Sequence, residues 1–182
     1  MSMKVLVAYM SKTGNTKKVA EAIYHEISQD KELKRIEEAT DIGPYDLCFL
    51  GFPMRQLGPD KKTKELLQRY CTNGRKVALF VTHAAPEDYE ELPQWLERFR
   101  QASSGADLVG LFDCQGQMAS GVKFVLRIST NKKHRMWAKM DSSRGQPDAA
   151  RLEKARAFSR IMMLQLGEWG PKVPDEEAVA AP

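Results

Sequence analysis

Five short apolar runs, each followed by a polar turn and a stretch with helical spacing, constrain this 182-residue chain more than any other feature. The first, Lys4-Val5-Leu6-Val7-Ala8-Tyr9, is too short for a buried helix, carries β-branched residues and stops at a polar turn, as a strand buried on both faces does. Val19, Ile23 and Ile27 then recur at helical spacing, with Ala20 and Tyr24 beside them. The alternation repeats along the chain. Residues 33–38 read as an edge strand, and Asp46-Leu47-Cys48-Phe49-Leu50-Gly51-Phe52, closed by Pro53, reads as a central one. Leu66, Leu67 and Tyr70 mark a helix that stops near Asn73-Gly74. Residues 75–82 form the next strand, Leu92, Trp95, Leu96 and Phe99 the next apolar helix face, and residues 107–112 the fifth strand. Pro147-Asp148 opens a last helix whose stripe holds Leu152, Ala155, Phe158, Met162, Met163 and Leu166.

Strands that alternate with helices need right-handed crossovers, so the expected class is α/β: a three-layer sandwich around a five-stranded parallel sheet. Only residues 117–146 interrupt the rhythm. With no internal repeat and no long linker, the chain reads as a single domain over residues 1–170 carrying that insertion. A tail over residues 171–182, rich in Pro, Ala and acids, is expected to be flexible.

Several classes drop out early. Cys48, Cys71 and Cys114 are odd in number, widely spaced and without a C-x-x-C pair, which argues against a disulfide framework and a zinc site. No apolar run reaches membrane-spanning length, and the N-terminus enters a strand directly, so the expectation is a cytoplasmic protein that does not bind membranes. There is no G-x-S-x-G elbow and no Ser/His/Asp order of a hydrolase, and no catalytic residue or metal-ligand set stands out.

The turn after the first strand carries the chemistry. Ser11, Thr13 and Thr16 offer hydroxyls, Asn15 an amide, and Gly14 lets the backbone curl closely around a group. The helix that follows leaves unpaired N–H groups and a partial positive charge facing whatever the turn encloses, which suits a phosphate. Neither G-x-x-x-x-G-K-[S/T] nor G-x-G-x-x-G follows this strand, so a monophosphate ester is more economical than a pyrophosphate. A polar turn that only caps the helix would show the same residue types, and composition does not separate the two.

The first strand followed by Ser11-x-Thr13-Gly14-x-Thr16 and a helix resembles the phosphate loop of flavodoxins, whose usual form is S/T-x-T-G-x-T. The strand ending at Pro53 and the strand Val77-Ala78-Leu79-Phe80-Val81-Thr82 are similar to later strands of that family, so the resemblance covers residues 3–116 and the last helix. It implies the strand order 2-1-3-4-5 and an FMN cofactor at the switch point of the sheet. On that basis Ser11, Lys12, Thr13, Gly14, Asn15 and Thr16 hold the phosphate. The ring lies between Pro53, Met54, Arg55, Gln56, Leu57 and Gly58 on one side and Thr82, His83, Ala84 and Tyr89 on the other. Two departures stand out. Flavodoxins commonly sandwich the ring with aromatic side chains, whereas Met54, Leu57 and Tyr89 are the groups available here. Residues 82–86 also lack the glycines often found in that loop. His83 could hydrogen-bond the flavin or serve as an ordinary loop histidine, and Cys114 could be a crevice thiol or a packing residue.

Charge is unevenly spread. Between Gly121 and Gln146 lie Lys123, Arg127, Lys132, Lys133, Arg135, Lys139 and Arg144 against Asp141 alone, which leaves the remainder slightly acidic. The segment reads as a solvated loop or hairpin, a docking surface for an acidic redox partner, or a nucleic-acid contact around Lys132-Lys133-His134-Arg135 and Trp137, with protein docking placed ahead of nucleic acid. Three functions fit: an FMN-binding carrier in electron transfer with a reductase or acceptor protein as partner, an FMN-dependent NAD(P)H reductase, and a flavin-free module that docks a partner through the insertion.

Flavodoxins are generally strongly acidic, and negative charge beside the ring opposes the anionic reduced flavin. Arg55, Lys61, Lys62 and His83 fall in or beside the expected ring loops. The second electron should therefore enter at a less negative potential than in an acidic flavodoxin, as read by spectroelectrochemical titration of the two side by side; an equal or lower value refutes this.

Overall fold

The computed structural model describes residues 3–55 and 57–167; Gln56 and the expected tail over residues 171–182 lie outside the described residues, as do the side chains of Lys133 and His134. The elements run β1 (Lys4–Tyr9), α1 (Asn15–Glu26), β2 (Asp30–Arg35), β3 (Leu47–Pro53), α2 (Lys61–Tyr70), β4 (Lys76–His83), α3 (Leu92–Ala102), β5 (Asp107–Gln115), α4 (Ser120–Ile128), α5 (Lys132–Lys139) and α6 (Ala149–Gln165).

Successive side chains of a strand point to opposite faces, and in the central strands both sets are apolar. Val5, Val7 and Tyr9 of β1, Leu47 and Phe49 of β3, and Ala78 and Phe80 of β4 enter one core. Leu6 and Ala8, Cys48, Leu50 and Phe52, and Val77, Leu79 and Val81 enter the other. Strands filled in this way must be covered on both faces. The first core is closed by Val19 and Ile23 of α1 with Met162 and Met163 of α6, the second by Leu67 and Tyr70 of α2 with Phe99 of α3. All strand pairs are parallel, and the order is β2-β1-β3-β4-β5. The expected α/β sandwich and strand order are therefore present.

Local chemistry sets the helix starts. Asp60 accepts from the Thr63 N–H at 2.8 Å to cap α2, and Asp148 accepts from the Arg151 N–H at 3.0 Å to cap α6. No side chain caps α1; its N-cap is Gly14, at φ 92°. Two boundaries differ from expectation. β2 begins and ends earlier than residues 33–38, because its register runs from Asp30 beside Lys4 to Arg35 beside Tyr9. Ile36 then leaves the ladder and is buried in the second core, so its apolar character marks core and not strand. α2 stops at Tyr70, and Asn73 and Gly74, both at positive φ, turn the chain into β4. The insertion, where no periodicity was expected, folds into α4 and α5.

Close packing in the sheet is tightest at Gly51. A Cβ there would lie 2.1 Å from the Phe80 ring on the neighbouring strand. Gly51→Ala should lower the unfolding free energy in urea by about 1–3 kcal/mol through overpacking, and the loss should shrink when Phe80→Leu is added. Unchanged stability of the single variant contradicts this packing.

Candidate functional site

Parallel strands end together, so the turns after β1, β3, β4 and β5 meet at one edge of the sheet, where they enclose a cavity of about 390 Å³. Ser11, Lys12, Thr13, Asn15 and Thr16 line one end, and Pro53, Met54, Arg55, Thr82, His83 and Ala84 line the middle. Gly14 closes the turn: its N–H donates to Ser11 Oγ at 3.1 Å, and its left-handed backbone leaves the start of α1 directed at the cavity. Any other residue would be strained at that φ. Because no side chain caps α1, its first N–H groups and its partial positive charge remain available to a ligand.

Two of the polar groups are also used within the protein. The Thr16 and Thr82 hydroxyls, both buried, bond each other at 2.8 Å and tie the turn to β4. Such a pair consumes one of its two hydrogens, so one O–H donor remains. Asn15 donates from Nδ2 to the Gln117 carbonyl at 2.9 Å and keeps its side-chain oxygen.

The loop after β3 is tightly closed. Arg55 and Gly58 exchange backbone hydrogen bonds of 3.0 and 3.1 Å, and Arg98 donates to the Leu57 carbonyl at 3.0 Å. Leu57, at φ 62°, is exposed and Gly58 packs under Arg98, so neither lines the cavity; Gln56 lies outside the described residues. The Arg55 guanidinium is held by Asp60 at 3.0 Å. Burial opposes ionisation of Asp60, but the Thr63 N–H together with the Arg55 guanidinium holds its carboxyl below the usual aspartate range.

At the end of β4, His83 is buried with both ring nitrogens engaged. Nδ1 lies 3.0 Å from the Ala85 carbonyl, which can only accept, and Nε2 lies 3.0 Å from Asp113 Oδ2. His83 thus lines the cavity while its nitrogens hold the loop to β5. Tyr89 lines an adjoining pocket that shares Ala84 and Met118 with the cavity, with its ring centroid 5.1 Å from that of Trp95 and 5.3 Å from that of Trp137. This aromatic cluster fastens α5 to the body of the domain. Burial pushes the Cys114 thiol up to about 12, with Glu87 adding to the effect, so it packs as a neutral group. Among the described residues no group of three His, Cys, Asp or Glu is placed to hold a metal, and no helix is long and apolar enough to cross a membrane.

The sequence reading assigns the walls to the turns after β1, β3 and β4. The structure adds Gly116, Gln117, Met118, Ala119 and Val122, the start of the insertion. The signal available for them is the sheet itself, since the end of β5 reaches the same edge. Gly116 is required there: a Cβ would meet Asn15 Nδ2 at 2.7 Å. The insertion returns to its origin. Gln117 N–H donates to the Gln146 carbonyl at 3.0 Å, and Ser143 Oγ accepts from the Met118 N–H at 2.8 Å and donates to Asp141. Asp141 also accepts from Lys123 Nζ at 2.6 Å.

A family model described as a flavodoxin domain matches residues 6–160. The flavodoxin-like domain-containing protein BilS of Clostridioides difficile (strain CD3) is 33% identical over 174 residues, spanning 90% of this chain and 98% of that protein. A flavodoxin from the domain Archaea shares the fold at TM-score 0.55 with 17% identity, covering 91% of this chain and 99% of that one. Oxidised Flavodoxin 2 from Bacillus cereus shares it at TM-score 0.53 with 21% identity, covering 90% and 99%.

Asp141 makes the insertion sensitive to acid. Its burial opposes ionisation, but the bonds from Lys123 and Ser143 hold its carboxyl below the usual aspartate range. The stability it lends is therefore complete above the ordinary aspartate value and disappears as pH falls through the depressed value of the folded state. Amide protection, taken relative to the intrinsic exchange rate at each pH, should fall in α4 and α5 ahead of the sheet on going from neutral pH to about pH 3, and Asp141→Asn should show the reduced protection already at neutral pH. Uniform protection of α4, α5 and the sheet at low pH contradicts this anchor.

Proposed function

This chain belongs to the flavodoxin domain family, and from that premise we propose that it binds FMN and carries electrons between partner proteins. The observation that carries this reading is the cavity's polarity. One end combines hydroxyls with the uncapped start of α1, and Pro53, Met54, Ala84, Met118 and Val122 add apolar lining beside Arg55 and His83. A ligand with a dianionic ester at one end and a broad apolar ring at the other matches both halves, and the volume lies in the range of small-molecule sites.

In this reading Ser11, Thr13 and the Thr16–Thr82 pair donate O–H to phosphate oxygens, and the turn's N–H groups and Lys12 add positive charge. Met54 and Met118 give the ring polarisable apolar contacts in place of aromatic stacking. The opening of the insertion, Gly116 to Ala119 with Val122, shields the cavity from bulk water. The flavin, when bound, supplies the one-electron and two-electron chemistry, and the protein supplies position and electrostatics. His83 keeps the loop after β4 in place through both of its ring nitrogens.

Thr13 is exposed and its side chain has no partner among the described residues, so its removal should leave the fold intact. Thr13→Ala should weaken FMN binding by about 1.5–3 kcal/mol, roughly ten- to hundredfold, in a fluorescence-quenching titration. Unchanged affinity contradicts the phosphate assignment. FMN-loaded protein mixed with NADPH and a dye should leave the dye oxidised until a reductase is added; unaided turnover would make the protein a reductase instead.

A further inference from the structure

Helix α4 is amphipathic, but it presents its apolar face to water. Its polar side is anchored, with Lys123 bonded to Asp141, whose side chain is only 5% exposed. No residue of α4 is buried, while Phe124, Val125 and Ile128 are 61%, 61% and 66% exposed. An ordinary surface helix has the opposite arrangement. α5, which packs on α4, adds the exposed Met136, and Met140 just past its end is exposed as well. Contiguous exposed apolar surface rimmed by polar groups marks an interaction site. The rim here is basic: Arg127, Lys132, Lys139 and Arg144 are exposed and form no ion pair among the described residues.

We propose that the outward face of α4, with Phe124, Val125 and Ile128 bordered by Arg127 and Lys132, docks an acidic redox protein whose redox group then meets the cavity mouth beside Ala119 and Val122. The proposal rests on the FMN reading for its redox half and on charge and exposure for its docking half. Charge selects the partner, since the insertion holds seven lysines and arginines and one aspartate. A second copy of this chain would set like charges together, which disfavours self-association. An anionic bilayer would match the charge but would bring no redox group to the mouth. Position favours a redox protein: Val122 is exposed and lines the cavity, so the apolar face runs directly into the cavity wall.

Two small haem proteins of opposite charge serve as probes: cytochrome b5, whose haem edge is ringed by carboxylates, and cytochrome c, whose haem edge is ringed by lysines. Calorimetry and amide-shift mapping on the full chain should show cytochrome b5 binding at low salt, with shifts on α4 and the mouth, and weaker binding as salt rises. Phe124→Ser with Ile128→Ser, and separately Arg127→Glu with Lys132→Glu, should each reduce that affinity by about tenfold or more while leaving FMN affinity unchanged. With FMN reduced by dithionite beforehand, each electron that leaves the flavin reduces one ferric haem, and the same variants should slow that transfer. No binding of cytochrome b5, or equal binding by the variants, overturns the proposal, as does preference for cytochrome c. Co-sedimentation with phosphatidylcholine vesicles holding about 30% phosphatidylserine, lost in the variants while cytochrome b5 binding persists, overturns it in favour of a lipid surface. Self-association abolished by the variants overturns it in favour of a second copy. Cytochrome b5 binding without FMN binding removes the cofactor reading and leaves the docking face standing; FMN binding without cytochrome b5 binding removes the docking face alone.

Discussion

Burial of both faces of β1, β3 and β4 is the constraint from which the rest follows. Strands that are apolar on both faces cannot lie at a surface, so helices must cover the sheet twice, and parallel strands then need crossovers that deliver every β–α turn to one edge. That edge is where the phosphate turn, the closed loop after β3, the His83 loop and the start of the insertion converge. The two cores make the scaffold rigid, and the polar residues at its edge are free to serve a ligand.

Within the cavity, the polar groups serve partly as scaffold. Thr16 and Thr82 spend one hydrogen on each other, Asn15 spends its amide on Gln117, and His83 spends both nitrogens on Ala85 and Asp113. Each of these bonds fixes a loop that would otherwise have to be ordered by the ligand, so part of the entropic cost of binding is met when the chain folds. Gly14 and Gly116 belong to the same economy. One supplies a left-handed turn and the other the space in which Asn15 rests.

The legible and illegible parts of this protein divide on physical lines. The strands of the sheet and the turn at residues 11–16 could be read because apolar runs and glycine chemistry are local signals, and strand order followed from a resemblance carried by that turn. Ile36 misled because burial beyond the end of a strand looks like burial within it. Leu57 and Gly58 have the right positions in the chain to reach the cavity, but a two-way backbone bridge and contacts with Arg98 hold them outside its lining, while Trp137 holds Tyr89 in the adjoining pocket. The contacts from Arg98 to the loop after β3 and from Trp137 to Tyr89 span long stretches of chain and leave no local signature. The same holds for α4, which the charge pattern hides within a solvated loop or hairpin; its apolar residues face solvent while Lys123 is anchored to Asp141.

The most direct test compares FMN with riboflavin, which differ only in the phosphate. If the hydroxyls and the helix start at residues 11–16 grip that group, several charge-assisted hydrogen bonds are lost with it, and riboflavin should bind roughly a hundredfold more weakly or worse. Equal affinities for the two flavins in parallel titrations would contradict the account.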